Sequence, residues 1–120
     1  GSEMCIRDRF SVNRARLQLM MQFIHENYRK NLFLDEIAAQ SMISKSSALN
    51  LFRRYLYITP VNYLINYRLK QAALLLSHTE KKVSTISAET GFHNVDYFCR
   101  AFKKHYQVTP GEYRKEKWDK

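Results

Sequence analysis

Three side chains in this sequence are well suited to reading the edges of nucleic-acid bases. Arg100 can pair bidentately with guanine, Asn50 can do the same with adenine, and Asp96 can accept from a cytosine amino group. Each stands among residues of compatible type. Beside Asn50 are Ser46 and Ser47, whose hydroxyls adapt to several base edges. Leu49 either meets a thymine methyl or packs against a neighbouring short helix. Beside Arg100 are Val95, Asp96 and Cys99, with Cys99 read as a small groove-facing residue and a redox role as the lesser reading. Arg100 has a competing partner in Asp96, one helical turn earlier. Lys45, Arg53, Arg54, Lys103 and Lys104 suit phosphate contact, the last four because they come late in their helices. Lys103 and Lys104 can equally stay solvated.

The charge balance agrees with a polyanionic partner. Twenty Lys and Arg stand against eleven Asp and Glu, a net +9. Between Glu36 and Glu80 there is no acidic residue, and the gap holds Lys45, Arg53, Arg54, Arg68 and Lys70. A second acid-free stretch from Tyr97 to Gly111 holds Arg100, Lys103 and Lys104. Fields of one sign favour nucleic acid over a generic basic surface. An anionic membrane is a poorer fit, because the cations form no single amphipathic stripe.

Other chemistry has little support. His25, His78, His93 and His105 form no His-Glu-x-x-His pattern, Cys5 and Cys99 form no Cys-x-x-Cys pair, and no zinc or other cofactor is expected. No Ser-His-Asp grouping or glycine-rich phosphate loop is visible, so the chain does not read as an enzyme. Phe52, Phe98 and Phe102 fall at core positions, not on a base-stacking platform, which argues against a single-strand binder. No apolar run reaches the ~18–20 residues of a membrane span. The first ten residues lack the apolar centre of a signal peptide, and an intracellular, cytoplasmic setting is the default. Residues 1–10 read as a leader or cloning remnant with no helical pattern, and are left out of the fold.

Composition favours an all-α protein. Hydrophobic residues make up 45% of the chain, enough for a core, while three glycines and two prolines are too few for the turns of a β-sandwich. Leu17, Met20, Met21, Ile24 and Tyr28 share one helical face in a helix from Asn13 to Tyr28. Leu34-Asp35 reads as staple and N-cap of a short helix. Ser44 caps the next, from Ser44 to Tyr57, with Ala48, Leu51, Phe52 and Tyr55 inward. Thr59-Pro60 opens a helix to about Ser77 with Val61, Leu64, Ile65, Leu69, Ala72 and Leu76 inward. Val83-Ser84 repeats the staple and cap, and Gly91 stops that helix. Asn94 caps a helix to Tyr106 that buries Phe98, Ala101, Phe102 and Tyr106. Thr109-Pro110-Gly111-Glu112 is a capping box opening a last helix with Tyr113.

The pattern occurs twice. Leu34-Asp35-Glu36-Ile37-Ala38-Ala39 aligns with Val83-Ser84-Thr85-Ile86-Ser87-Ala88 at an offset of 49 residues. Phe52-Arg53-Arg54 aligns with Phe102-Lys103-Lys104, and Thr59-Pro60 through Tyr63 with Thr109-Pro110 through Tyr113, at 50. The second copy therefore holds one extra residue between its two helices. Short helix, turn, longer helix is the plan of a helix-turn-helix, whose second helix enters a major groove.

The run from Gly91-Phe92 through Phe98, Arg100, Phe102-Lys103-Lys104, Thr109-Pro110 and Tyr113-Arg114 closely resembles the signature of AraC/XylS-family transcription regulators. Ile37-Ala38, Ile43-Ser44, Leu51-Phe52 and Thr59-Pro60 resemble that family's first helix-turn-helix, and Tyr67-Arg68-Leu69-Lys70-Gln71-Ala72 its linker helix. The resemblance covers roughly residues 13–117. It implies a bacterial DNA-binding domain of about seven helices: a first helix-turn-helix subdomain over 11–58, a linker helix over 59–79 and a second subdomain over 80–120. It also implies RNA polymerase as a partner, and a separate sensing or dimerisation domain through which the full-length regulator would dimerise. Two departures are visible. Where the family usually has glycine two residues before each Thr-Pro, this chain has Tyr57 and Gln107. A left-handed turn costs such residues roughly 1 kcal/mol, so both turns are expected to close differently. The first reading face carries Ser46, Ser47, Leu49 and Asn50 where the family commonly has larger polar or basic side chains.

The expected function is sequence-specific binding of double-stranded DNA and regulation of transcription. A linker rod of roughly 27 Å, at ~1.5 Å per residue, would carry two reading helices toward successive major grooves. A monomer of this length of chain would then occupy an asymmetric site. The alternative is a helical protein-interaction module with an incidental basic surface.

Overall fold

The computed structural model describes residues 6–118, with side chains from Ser11 onward, so Cys5 and the Gly1-Ser2 opening lie outside the described residues. Seven helices follow one another, with no strand among the described residues: α1 (Ile6–Asn27), α2 (Leu34–Ala39), α3 (Lys45–Leu56), α4 (Pro60–His78), α5 (Val83–Glu89), α6 (Val95–Tyr106) and α7 (Pro110–Trp118). The helix α1 starts at Ile6, not Asn13, so residues 6–10 are part of the fold, contrary to the expectation that they lie outside it.

The chain divides into two compact units. One is α1 with Leu32–Tyr63; the other is Tyr28–Asn31 with the described residues from Leu64 on. In the first, α1 buries Leu17, Met20 and Ile24, α2 buries Ile37 and Ala38, and α3 buries Ala48 and Phe52. Phe52 meets Tyr63 edge-on at 5.7 Å. The second unit has a core of Leu69, Ala72, Ala73, Leu76, Ile86, Phe92, Phe98 and Phe102, with Tyr106 and Tyr113 packed on it. Its aromatic rings touch in sequence, Phe92 to Phe98 at 5.0 Å and Phe102 to Tyr113 at 5.4 Å. Each fully buried phenylalanine contributes about 1.5–3 kcal/mol of transfer free energy. Val61, expected inward, is 51% exposed.

Most helix starts are where the cap chemistry puts them. Ser44 Oγ accepts from the Ser47 amide at 3.2 Å, and Asn94 Oδ1 from the Tyr97 amide at 3.0 Å. Thr59 Oγ1 takes the Asn62 amide at 3.2 Å. Thr109 and Glu112 exchange both bonds of a capping box, each at 3.2 Å. The two short helices differ from expectation. The N-cap of α2 is Phe33, whose amide donates to Glu36 Oε1 at 3.3 Å, and Asp35 lies inside the first turn. The N-cap of α5 is Lys82, and Ser84 is likewise internal. An acidic residue in a first turn still favours the helix through the macrodipole without capping it.

The turns after α3 and α6 close in the left-handed conformation after all. Tyr57 has φ 58° and Gln107 φ 68°, and their amides return to Arg53 O and Lys103 O. The helix-terminal hydrogen bond outweighs a cost of roughly 1 kcal/mol for a side chain in that region. Inside the hairpins, Met42 (φ 56°) and Gly91 (φ 92°) hold equivalent places. Ile43 N then bonds to Ala38 O, and Phe92 N to Ser87 O. The extra residue of the second copy is therefore His93, set between this turn and the Asn94 cap, where its ring bonds Asn31.

Candidate nucleic-acid interface

The two reading helices are the same length, 12 residues, and are capped at both ends in the same way. Each buries one stripe, Ala48 and Phe52 on α3, Phe98 and Phe102 on α6. That leaves the other face free.

On α3 the structure leaves Lys45, Ser46, Ser47, Asn50, Arg53 and Arg54 exposed, while Leu49 is half-buried. Lys45 pairs with Asp35 at 3.3 Å, but both side chains are mostly exposed. Such a pair is worth at most about 1 kcal/mol, so Lys45 can be drawn away by a phosphate. Arg54 lies 5.7 Å from the ring of Tyr55. Ser47 Oγ accepts from Ser44 Oγ at 3.0 Å, which leaves its own hydroxyl hydrogen to donate.

On α6 Val95, Asp96, Arg100, Lys103 and Lys104 are exposed. Among the described residues no ion pair joins Arg100 to the Asp96 carboxylate. The Arg100 Nε lies 3.4 Å from the main-chain oxygen of Asp96, too long for a strong bond. Its guanidinium keeps its donors for another partner. Cys99 differs from its neighbours: it is half-buried and packs on the core of the second unit. Burial, with the Asp96 carboxylate second, pushes its thiol pKa up, so it is neutral at physiological pH. Lys103, Lys104 and His105 stand in the last turn of α6, as Arg53 and Arg54 do in α3, where cations favour the helix.

One exposed residue escaped the sequence reading. Tyr97 is 44% exposed on α6, in the register held by Ser47 on α3. The fifty-residue offset was the signal that could have found it. No periodicity marks Arg68 and Arg114, whose guanidiniums bond main-chain oxygens instead of lying free.

Two capped helix-turn-helix units, each with an exposed and mainly basic second helix, define a double helix-turn-helix protein of the DNA-binding regulator class. A family model for a helix-turn-helix domain matches residues 37–116. The chain belongs to the AraC-type helix-turn-helix family. It is 34% identical over 100 residues to an uncharacterized HTH-type transcriptional regulator, YdeC, of Bacillus subtilis, covering 83% of this chain and 34% of that protein. It is 33% identical over 98 residues to the lactose operon transcription activator of Staphylococcus xylosus, covering 82% of this chain and 35% of that one. A crystal structure of an AraC-type transcriptional regulator from Chromobacterium violaceum has a TM-score of 0.83 at 28% identity, over 87% of this chain and 93% of that one. The chain spans about a third of the length of the curated relatives it matches.

Proposed function

We propose that this chain is the DNA-reading part of a bacterial transcription regulator, and that α3 and α6 enter successive major grooves of one duplex. The observation that supports this best is the repeat: two helices of 12 residues, capped alike and bearing cations at matching positions fifty residues apart. In this reading Asn50, Ser46, Ser47, Leu49, Val95, Asp96, Cys99 and Arg100 face base edges. Arg100 carries the strongest discrimination, because guanine offers its guanidinium two acceptors in one plane. Lys45, Arg53, Arg54, Lys103 and Lys104 hold phosphates and set register without reading sequence. The two reading faces differ, so the site is asymmetric and one protomer occupies it. RNA polymerase is the partner a regulator needs, a sensing domain is what the longer relatives leave room for, and the cytoplasm is where such a protein works.

Selection from random duplexes, followed by a footprint and the mass of the complex, tests this. One protomer should protect roughly two helical turns. Binding should weaken steeply with salt: five phosphate contacts at ~0.9 each give a slope of about −4.5 in log K against log salt. Two protomers on an inverted repeat would overturn the monomeric reading. A shallow slope with no sequence preference would favour a protein-interaction module.

A further inference from the structure

The reading faces leave part of α1 unexplained. In the first unit a cavity of about 240 Å³ opens between α1 and α3. Asn13 and Arg16 of α1 line it, with Ser47, Asn50 and Arg54 of α3 and an apolar floor that includes Leu51. No carboxylate is in its wall. Among the described residues neither Arg16 nor Arg54 is in an ion pair. Two lining arginines with no carboxylate beside them, over an apolar floor, favour an anion with planar or tetrahedral oxygens. The cavity has the room of several waters at ~30 Å³ each, enough for a hydrated phosphate group.

The wall also offers neutral donors. Asn13 Nδ2 gives one hydrogen to Tyr55 Oη at 3.2 Å and has a second to give. The Ser47 hydroxyl hydrogen is free to donate, as described above. The Arg16 main chain is anchored, its carbonyl accepting from Ser41 Oγ at 2.8 Å. The repeat supplies a reason for the arrangement. Asn50 stands in the register of Arg100, so the first reading helix lacks a cation where the second has one. Arg16, on α1, adds a cation to the cavity that Asn50 lines.

We infer that this cavity seats a backbone phosphate of duplex DNA, held by Arg16 and Arg54 with Asn13 and Ser47 as neutral donors. The inference rests on the proposal that α3 lies in a major groove, since Ser47 and Asn50 belong to both surfaces. It adds α1 to the interface and makes the first hairpin a stronger backbone binder than a base reader.

The test compares Arg16→Ala with Arg14→Ala. Arg14 is two residues away on the same helix and lines a different, largely apolar groove with Leu17, Met21 and Leu56. Affinity for the selected site and for random duplex is measured over a salt series. Arg16→Ala should bind both DNAs roughly tenfold more weakly and lose ~0.9 from the salt slope, while Arg14→Ala keeps the wild-type slope. Arg16→Lys, which keeps the charge, should restore the slope and guards against misfolding of the alanine variant. Equal losses for Arg14→Ala and Arg16→Ala would mean a general field and overturn the seat, as would an unchanged slope for Arg16→Ala. Saturable binding of inorganic phosphate lost in Arg16→Ala, with the DNA slope unchanged, would make this a free-anion site and overturn it too. If the wild type binds no duplex, the DNA reading itself fails and takes this inference with it.

Discussion

Arg68 donates from Nε to the main-chain oxygen of Tyr28 at 2.7 Å. A second guanidinium nitrogen reaches the oxygen of Lys30, also at 2.7 Å. The segment so held follows α1 and leads into the first hairpin, yet it belongs to the second unit. Arg114 does the same after α4, bonding Leu76 O and Thr79 O at 3.0 Å each, and Trp118 Nε1 adds a bond to Ser77 O at 3.0 Å. Each arginine thus satisfies carbonyls in the last turn of a helix or just beyond it. Burial lowers the Arg68 pKa, but an arginine stays charged at any physiological pH.

Arg68→Ala is expected to destabilise the protein by about 2 kcal/mol, because two charge-assisted bonds are lost and two carbonyls orphaned. Arg68→Lys should recover less than half, since one ammonium cannot span both oxygens. Urea unfolding midpoints measure both. A neutral Arg68→Ala would show that water replaces the guanidinium without loss.

Gly91 is tightly enclosed. A Cβ there would meet Tyr28 O at 2.6 Å and Arg68 Nε at 2.7 Å, and its φ is +92°. Gly91→Ala combines backbone strain with a clash against main chain, and should cost about 2–3 kcal/mol. At Gly111 nothing lies within 4 Å, so Gly111→Ala should be neutral or slightly stabilising, by up to ~1 kcal/mol. In thermal unfolding Gly91→Ala should melt well below the wild type and Gly111→Ala at or slightly above it.

Tyr57 carries a left-handed φ of 58° while 89% exposed, so little packing offsets its strain. Tyr57→Gly should stabilise the fold by about 0.5–1 kcal/mol. A loss in the melting temperature would show that the tyrosine ring contributes contacts worth more than the strain.

Arg100→Ala should weaken binding to the preferred site by about 1–3 kcal/mol more than binding to random duplex, the worth of one bidentate base contact. Competition titrations at fixed salt measure the difference. Equal weakening on both DNAs would reduce Arg100 to a phosphate contact.

Glu112 titrates below the ordinary carboxylate value near 4.5, chiefly because the side chain and amide of Thr109 hydrogen-bond its charged form. A carboxylate with a lowered native pKa stabilises the fold above its unfolded pKa, and that contribution is lost as pH falls through the native one. The stability gap between wild type and Glu112→Gln should therefore be steady at neutral pH and shrink as the pH falls through and below the ordinary carboxylate range. A gap that persisted through that range would assign the effect to shape, not charge.

Much of this was legible in one dimension. Caps, Thr-Pro starts and helical periodicity are local, so Ser44, Asn94, Thr59 and Thr109 declared their helices before any packing was known. The two copies also match each other: a stripe of Ala48 and Phe52 recurs as Phe98 and Phe102, and what faces away from it is the exposed, mainly basic face proposed to read DNA. The short helices α2 and α5 were located but their caps were misplaced, because six or seven residues hold too little local signal and packing decides where such a helix begins. The start of α1 was missed because residues before Asn13 show no apolar stripe of their own.

Only the tertiary structure decided the rest. Tyr57 and Gln107 take the left-handed turn that their side chains disfavour, since the fold's demand to close α3 and α6 there exceeds a local cost of about 1 kcal/mol. Arg68 and Arg114 look like any surface cation in sequence, and only the approach of a distant helix end makes them structural. Arg16 and Arg54 are thirty-eight positions apart, and no spacing rule links them. They share a cavity because α1 and α3 bury their apolar faces against the same core, which sets two charged edges side by side.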